Sequence, residues 1–412
     1  MSAPANASYN VPMSVPSADE WTTIWIASLP NSSDELHISL SAVLNRRYEV
    51  EAKAMDLFSP AGGRIELQYK VRVNLDVARG ELSKLIQAIY KSDLRSPQLL
   101  CSDPLKLVPD EKLREMFAPI AVVGESVFRR LFGGRPHFEG YLPGDNAMLQ
   151  EVVRSVLTRP NNLIIKSPVR LFPWTFLYDE TFDPNNQSSF STKRFWGFKH
   201  LIGEEIDGIA RRAPIRRPAR LIAAVCPQTD KGEEHARGPL GLHATQRDIS
   251  VEWVKSTAEL RRALSNFDAD CLYFYGHAHQ DNPPLQTTSW LKLDGLNLTA
   301  NEISQAEPKF EKNPVVVFLN GCETAPLHLW NNDSVAGLLW EEGKMRLCCV
   351  TTFAPVPASF GRAFGLAFWN DFIEGRTLGR ALLDARIQLF EKYSNPLGLL
   401  YTLFGKTGTQ FI

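Results

Sequence analysis

The chain has 412 residues and a formal net charge of −1, with 44% hydrophobic and 22% charged residues. This composition is typical of a soluble globular protein, and the near-neutral charge argues against nucleic acid as a partner. The length predicts two or three domains. No run approaches the roughly 18 uninterrupted apolar residues of a membrane-spanning helix, and the first residues lack the pattern of a signal peptide. We therefore expect a cytoplasmic protein with no membrane partner.

The cysteines favour a protein that keeps its thiols reduced. Six are present, at positions 101, 226, 271, 322, 348 and 349. They are too sparse for a disulfide framework, and no CxxC pair suggests a zinc site. We expect no cofactor and no bound metal.

The N-terminal part predicts a small α+β domain. Residues 1–18 hold three prolines and many small polar residues and are predicted to be a disordered tail. Residues 19–96 then predict strand, helix, two strands in a hairpin, and helix, which is the βαββα order of a ferredoxin-like fold. The first helix is placed over 32–47, the hairpin over 48–58 and 64–75. We expect this domain to regulate or assemble the protein, through self-association or an activating partner; a plain structural appendage is the alternative.

The remainder predicts a larger α/β domain. Residues 97–113 are punctuated by proline and predict a linker. From 114 to 412, buried apolar strand runs, one of them at 219–227, alternate with helical patterns, one of which covers 250–266. This alternation predicts a mostly parallel sheet flanked by helices.

Two apolar runs in this domain each end on a reactive side chain. Both Cys271–His279 and Val315–Ala325 are short and rich in β-branched and aromatic residues, so both predict buried parallel strands. Chemistry in such sheets collects at the carboxyl ends of the strands, which places His277 and Cys322 side by side if the strands are neighbours. An adjacent imidazole promotes formation of the attacking thiolate and carries its proton. The pattern predicts a nucleophilic Cys–His dyad.

Three other interpretations of these residues stay open. His279 competes with His277 for the role of base, although His277 directly follows the glycine at the strand end. A zinc site built from both histidines and Cys322 is the chemical rival, since imidazole and thiolate are good zinc ligands. The pair can also be a core cysteine and an unrelated histidine.

The motifs around the pair resemble the CHAT family of caspase-like cysteine peptidases, relatives of separase and the caspases. In that family a strand-end His lies in a GHG-like turn and the Cys in an ACET-like turn; here these are Gly276-His277-Ala278 and Gly321-Cys322-Glu323-Thr324. The family's Gly after the His is Ala278 in this chain. Similar segments lie at 172–179 and in the closing region, so the resemblance covers about 115–412.

The resemblance implies a caspase–haemoglobinase fold and hydrolysis of a protein substrate through an acyl-enzyme. Cys322 is then the nucleophile, His277 the general base and afterwards the acid, and the backbone N–H groups of Cys322 and Ala278 the oxyanion donors. Many relatives have Asp residues for a basic substrate side chain in the turn that corresponds to 353–359, where this chain has none. Glu323 and Asp333 are the nearby acidic candidates for substrate binding.

The predicted function is a regulated cysteine endopeptidase of a bacterial defence system, antiviral or acting in programmed death. A catalytically silent peptide-binding scaffold is the alternative, since it would use the same cleft without cleavage. A ligand-sensing adaptor is a third interpretation and rests on the N-terminal domain.

Overall fold

The computed structural model describes the chain in segments. The described residues are 21–29, 32–43, 64–91, 101, 103–133, 137–138, 151, 153–154, 156–158, 160–166, 172–180, 189–204, 214–228, 234, 240–281, 288–306, 310, 314–322, 324, 334–343 and 347–412. The predicted tail at 1–18, the predicted strand at 48–58, Glu323 and Asp333 lie outside them.

Seventeen strands are found within these residues. In chain order they are β1 (Trp21–Leu29), β2 (Ser32–Val43), β3 (Arg64–Arg72), β4 (His137–Phe138), β5 (Asn162–Lys166), β6 (Leu201–Glu204), β7 (Pro214–Ile215), β8 (Ala219–Val225), β9 (Ile249–Val254), β10 (Cys271–Tyr275), β11 (His277–Asp281), β12 (Thr288–Lys292), β13 (Asn297–Thr299), β14 (Val315–Asn320), β15 (Leu347–Thr352), β16 (Tyr401–Phe404) and β17 (Gln410–Phe411).

Eight α-helices accompany them over the same part of the chain. They are α1 (Leu75–Lys91), α2 (Asp110–Phe128), α3 (Gly241–Thr245), α4 (Thr257–Ser265), α5 (Ala300–Gln305), α6 (Val335–Gly343), α7 (Ala358–Ile373) and α8 (Leu378–Tyr393).

Twelve of the described strands form one large sheet in the order β4-β3-β2-β1-β5-β6-β16-β15-β14-β10-β8-β9. Neighbours from β1 to β9 in this order run parallel, except that β16 is antiparallel to β15; the pairs among β4, β3, β2 and β1 are antiparallel. β11, β12 and β13 form a second, antiparallel sheet, and β7 pairs with β17. The predicted α/β class with a mostly parallel, helix-flanked sheet is confirmed.

The centre of the large sheet is buried on both faces. Every residue of β10 and β14 is buried, as sequences that are apolar apart from the terminal Asn320 predict for inner parallel strands. Helix α7 covers one face with rings spaced along it, and Phe368 lies edge-on to Phe318 of β14 with centroids 4.8 Å apart. Phe364 stacks on Tyr401 of β16 at 3.8 Å. These contacts hold α7 beneath the strand ends where the candidate site lies.

The predicted helix over 32–47 is wrong, because its first twelve residues form β2. Leu36, Ile38 and Leu40 alternate with polar residues, which is the period of a strand as well as part of a helical pattern. Ile38 pairs with Ile26 of β1 and is fully buried, so pairing with strands on both sides decides for the strand. The predicted βαββα order of a ferredoxin-like domain is not found: the described residues give three strands and then α1.

The predicted helix over 250–266 is also wrong in its first part. Residues up to Val254 form the edge strand β9, which pairs with β8. The helix begins only after Ser256, whose side chain accepts from the Glu259 N–H while Glu259 bonds back to the Ser256 N–H. This capping box fixes the helix start, and the apolar residues before it are free to join the sheet.

No helix among the described segments has the length and apolar character needed to cross a membrane.

Candidate active site

The two predicted site strands are neighbours. β10 and β14 run parallel, with Tyr275 and Asn320, their last residues, as Cα partners. Gly276 follows Tyr275, and His277 opens β11. Gly321 and Cys322 follow Asn320. His277 and Cys322 therefore each lie two residues beyond a paired position at the same edge of the sheet.

The two strand exits also touch each other. A Cβ placed on Gly321 would lie 3.0 Å from the Cβ of Ala278 and 3.2 Å from the carbonyl oxygen of Gly276. Such distances leave no space between the segment that carries His277 and the segment that carries Cys322. The absence of a side chain at 321 is thus what permits this approach.

Both predicted catalytic side chains are accessible to different degrees. His277 is exposed and Cys322 is partly buried. Of the other five cysteines, four are buried and only Cys101 is partly exposed. Cys322 is therefore the accessible thiol at the sheet edge, although its thiol donates to the Val356 carbonyl oxygen, with Sγ and O 3.5 Å apart.

Two threonines clamp the turn that carries Cys322. The Thr324 hydroxyl donates to the Leu319 carbonyl over 3.2 Å and accepts from the Thr352 N–H over 3.0 Å. The Thr352 hydroxyl in turn donates to the Gly321 carbonyl over 2.5 Å. Both threonines are buried. The turn is therefore tied to the end of β15, a support that the sequence analysis did not identify.

The segment after β15 borders both strand ends. Besides the contact of Val356 with Cys322, the Tyr275 hydroxyl donates to the Ala358 carbonyl over 2.9 Å. The side chains of Phe353, Ala354 and Val356 are buried and apolar. This segment supplies carbonyl acceptors to the site but no acidic side chain.

A buried hydrogen-bond cluster lies under the Cys322 turn. The Asn320 Nδ2 donates to the Tyr273 hydroxyl over 3.0 Å and to the Gly361 carbonyl over 2.7 Å. The Asn320 Oδ1 accepts from the Tyr401 hydroxyl over 2.8 Å. Every polar hydrogen-bonding atom of this amide side chain is thus used, as burial requires. The sequence analysis did not identify the two tyrosines as parts of the site.

The two tyrosines of the cluster are held neutral. Burial raises the pKa of Tyr273 well above its ordinary value, against a smaller opposing effect of its bond to Asn320. Burial likewise raises the pKa of Tyr401, and the nearby Tyr273, Cys322 and Tyr275 raise it further. Both hydroxyls keep their protons at physiological pH, so Tyr401 is a permanent donor to Asn320.

A sequence signal for this cluster existed in helix α7. A Cβ on Gly365 would lie 2.4 Å from the Tyr273 hydroxyl and 2.9 Å from the Asn320 Nδ2, and one on Gly361 would lie 3.1 Å from the Asn320 Oδ1. Two glycines four positions apart lie on one helix face. Their spacing in an otherwise aromatic helix indicates a face that another group approaches closely.

Among the residues whose positions are described, no group of three or more His, Cys, Asp or Glu side chains could share a metal ion. The side chain of His279 is outside that set, as are Glu323 and Asp333.

Comparison with known proteins gives the class. The model of the CHAT domain family matches residues 162–396, more than half of the chain. The chain belongs to the CHAT domain family, as its sequence motifs predicted. The matched region includes both His277 and Cys322.

Individual relatives cover the chain unevenly. A protein of Vitiosangium sp. (strain GDMCC 1.1324) named "probable protease" is 27% identical in an alignment 236 residues long that covers 51% of this chain and 29% of that protein. The crystal structure of the Saccharomyces cerevisiae separase–securin complex matches 95% of this chain and 30% of the compared chain, at 11% identity and a TM-score of 0.48. The chain thus spans under a third of the length of each.

Proposed function

We propose that the chain is a cysteine endopeptidase in which Cys322 is the nucleophile and His277 the general base. The observation that carries the proposal is the pairing of Tyr275 with Asn320 at the ends of adjacent parallel strands. That register, with Gly321 lying against Ala278, supports a thiol and an imidazole at one edge of the sheet. Membership in the CHAT family and a relative named as a protease agree with peptide-bond hydrolysis.

The reaction follows from the two side chains. The imidazole of His277 removes the thiol proton of Cys322, and the thiolate attacks the carbonyl carbon of the substrate peptide bond. The N–H groups of Cys322 and Ala278 donate to the oxyanion. The imidazolium then gives its proton to the leaving amine, which departs and leaves a thioester. Water, deprotonated by His277, hydrolyses the thioester and restores the thiol.

The resting contact of the thiol bears on this cycle. A carbonyl acceptor favours the protonated thiol over the thiolate, so the bond from Cys322 to Val356 holds the nucleophile in its unreactive form. Transfer of the thiol proton to the imidazole breaks this bond. The proposed regulation of the peptidase then acts on the segment that contains Val356.

Substrate preference rests on the same segment. Because Phe353, Ala354 and Val356 supply no negative charge beside the thiol, a basic side chain before the cleaved bond has no partner there. Glu323 and Asp333 stay the candidate residues for binding such a side chain. A role in bacterial defence or programmed death also stays a prediction.

A thiol-reactive peptide probe tests the proposal. We expect the probe to label the wild-type protein and the Cys101→Ala control, and to leave Cys322→Ala unlabelled. Cys101 is the matched control because it is the other cysteine that is not buried. Equal labelling of Cys322→Ala and wild type would contradict the proposal. Undiminished binding of a protein partner, without cleavage by the wild type, would favour the scaffold alternative.

A further inference from the structure

The residue beneath the nucleophile turn has a role that the dyad alone does not describe. Resting on the proposed function, we propose that Tyr401 is a positioning residue that fixes the Cys322 turn through its hydrogen bond to Asn320. Tyr401 does not act on the substrate. It holds the last residue of β14, from which the chain leaves the sheet and reaches Cys322 two residues later.

The position of Tyr401 is fixed independently of the bond it donates. Its ring stacks on Phe364 of α7 with an interplanar angle of 5°. Its carbonyl oxygen accepts from the buried Arg386, whose Nη2 lies 2.8 Å away. The same guanidinium donates to the carbonyls of Gly398 and Gly197 over 3.2 Å and 3.1 Å. Tyr401 is thus attached to β16, α7 and α8, and its hydroxyl offers Asn320 a fixed point.

The two tyrosines that bond Asn320 are not equivalent. The Nδ2 of Asn320 has two acceptors, Tyr273 and the carbonyl of Gly361, so it keeps one if the Tyr273 hydroxyl is removed. The Oδ1 receives its bond from Tyr401. Loss of the Tyr401 hydroxyl leaves a buried acceptor without that donor, and a buried amide in this state turns or shifts to find another.

A shift of Asn320 is transmitted to the thiol because little separates them. Only Gly321 lies between Asn320 and Cys322 in the chain, and Gly321 is in contact with Gly276 and Ala278 on the histidine side. Displacement of β14's last residue therefore changes the geometry between Cys322 and His277. Misplacement of reacting groups by about 1 Å is enough to reduce a rate by around 100-fold.

The test compares tyrosine variants of the full chain in a Cys101→Ala background, which leaves Cys322 as the accessible thiol. The probe is a peptidyl acyloxymethyl ketone, whose inactivation rate constant reports on the chemical step and whose inhibition constant reports on binding. For Tyr401→Phe we expect the rate constant to fall about 10- to 100-fold, with the inhibition constant within about twofold. The pH profile of iodoacetamide alkylation should move in the same variant.

Two further variants set the scale of these effects. Tyr273→Phe should lower the rate constant less than Tyr401→Phe, because the Gly361 carbonyl still binds Nδ2. Tyr178→Phe is the matched control for loss of a buried tyrosine hydroxyl, since Tyr178 accepts from the Ser191 N–H and makes none of the contacts of the Cys322 turn described above. It should leave the rate constant, the inhibition constant and the pH profile unchanged.

Asn320→Ala provides a second route to the same question. If Tyr401 acts through Asn320, the effects of Tyr401→Phe and Asn320→Ala on the rate constant are not additive in the double variant. Additive effects would overturn the proposal, as would a Tyr401→Phe protein that behaves like Tyr178→Phe. If Tyr401→Phe does not fold, the proposal is tested on Asn320→Ala. That variant must lower the inactivation rate constant and leave the inhibition constant unchanged, or the proposal is wrong. Failure of the proposed function is distinct, because Cys322→Ala would then still react with the probe.

Discussion

At the scale of single residues, Ala278 and Gly321 fit together, because the side chain of Ala278 lies where Gly321 has none. The turns that this chain resembles have Gly after the His and Ala before the Cys, whereas this chain has Ala278 and Gly321 in those places. The Cβ of Ala278 occupies the space into which a Cβ on Gly321 would point, 3.0 Å away. Both departures are visible in the sequence, but only the structure shows that they meet.

The Gly321→Ala variant tests this contact. The added methyl group meets the Cβ of Ala278 and the carbonyl oxygen of Gly276. Neither atom can rotate away, so the two strand exits must separate by a few tenths of an ångström. We expect the free energy of unfolding to fall by about 1–3 kcal/mol and the probe's inactivation rate to fall about tenfold. Urea unfolding and probe kinetics measure the two effects.

The control for that variant is the exchange of both residues. Ala278→Gly combined with Gly321→Ala moves the methyl group from one segment to the other and removes the shortest contact, that with the Cβ of Ala278, while the contact with the Gly276 carbonyl stays. Stability and labelling rate should recover part of the loss. If the double variant is as impaired as Gly321→Ala, the contact does not govern the geometry of the site.

The candidate residues and their support differ in how far the sequence reveals them. His277 and Cys322 end apolar runs and carry local motifs, so a reader of the sequence finds them. Tyr401 lies 81 positions from Asn320, and Thr352 lies 28 from Thr324. Nothing local marks these partners, because the sheet order that brings β14, β15 and β16 together is set by the whole fold.

At the scale of elements, helix α7 is shaped to admit the Asn320 cluster. Its face toward the sheet alternates large rings with Gly361 and Gly365, and the glycines lie where Asn320 and Tyr273 approach. A side chain at 365 would displace the cluster. Glycine in a helix interior lowers stability, but here it permits close packing beneath the site.

Gly365→Ala tests the element. A Cβ there lies 2.4 Å from the Tyr273 hydroxyl, and we expect the clash to outweigh the gain in helix propensity, with a loss of roughly 1–3 kcal/mol in the free energy of unfolding. The matched control is Gly80→Ala in α1, where a Cβ meets nothing within 4 Å. That variant should be more stable by about 0.5–1 kcal/mol. Thermal or urea unfolding of both proteins makes the comparison; equal stabilisation by both would contradict this packing.

The sequence predicts strands correctly where they are fully buried and incorrectly toward the margins of the sheet. β10 and β14 are apolar apart from the terminal Asn320, and no helical alternative fits runs so short. β2 and β9 mix polar and apolar residues, and their patterns fit either period. For them, pairing with β1, β3 and β8 decides, and this information is not local.

At the scale of the whole molecule, the large sheet is continuous from the N-terminal strands to the site. β1 pairs in parallel with β5 from Trp21 to Trp25. The sequence predicts two domains, at 19–96 and 114–412, and those boundaries stay a prediction. Because β1 pairs with β5 within one sheet, we expect the two parts to unfold together and global stability to report on both.

His200 directly precedes β6 in the middle of this sheet, and its burial makes global stability depend on pH. The residue is fully buried, and burial lowers its pKa well below the ordinary value, with the charge of Lys199 adding to the effect. The folded state keeps His200 neutral, whereas the unfolded chain binds a proton below a pH of about 6.5. Stability is therefore lost as the pH falls through that value, and it is retained above it.

We expect the free energy of unfolding to fall by about 1.4 kcal/mol between pH 7.5 and pH 5.5 from this residue. Urea unfolding at the two pH values measures it. His200→Phe keeps a ring beside Trp196 without a titrating group and should lose this part of the difference. An unchanged difference in the variant would assign the pH dependence to other residues.

Whether His277 and Cys322 act as a pair is measured by alkylation of Cys322 with iodoacetamide in proteins that lack Cys101. We measure the rate at pH 7 with His277 present and with His277→Ala, using His243→Ala as the control for loss of a histidine outside the site. The His243 side chain is hydrogen-bonded to Glu374, the residue that directly follows α7, with Nε2 and Oε1 2.8 Å apart. The account predicts at least a tenfold lower rate in His277→Ala alone. Equal rates in all three proteins would contradict it.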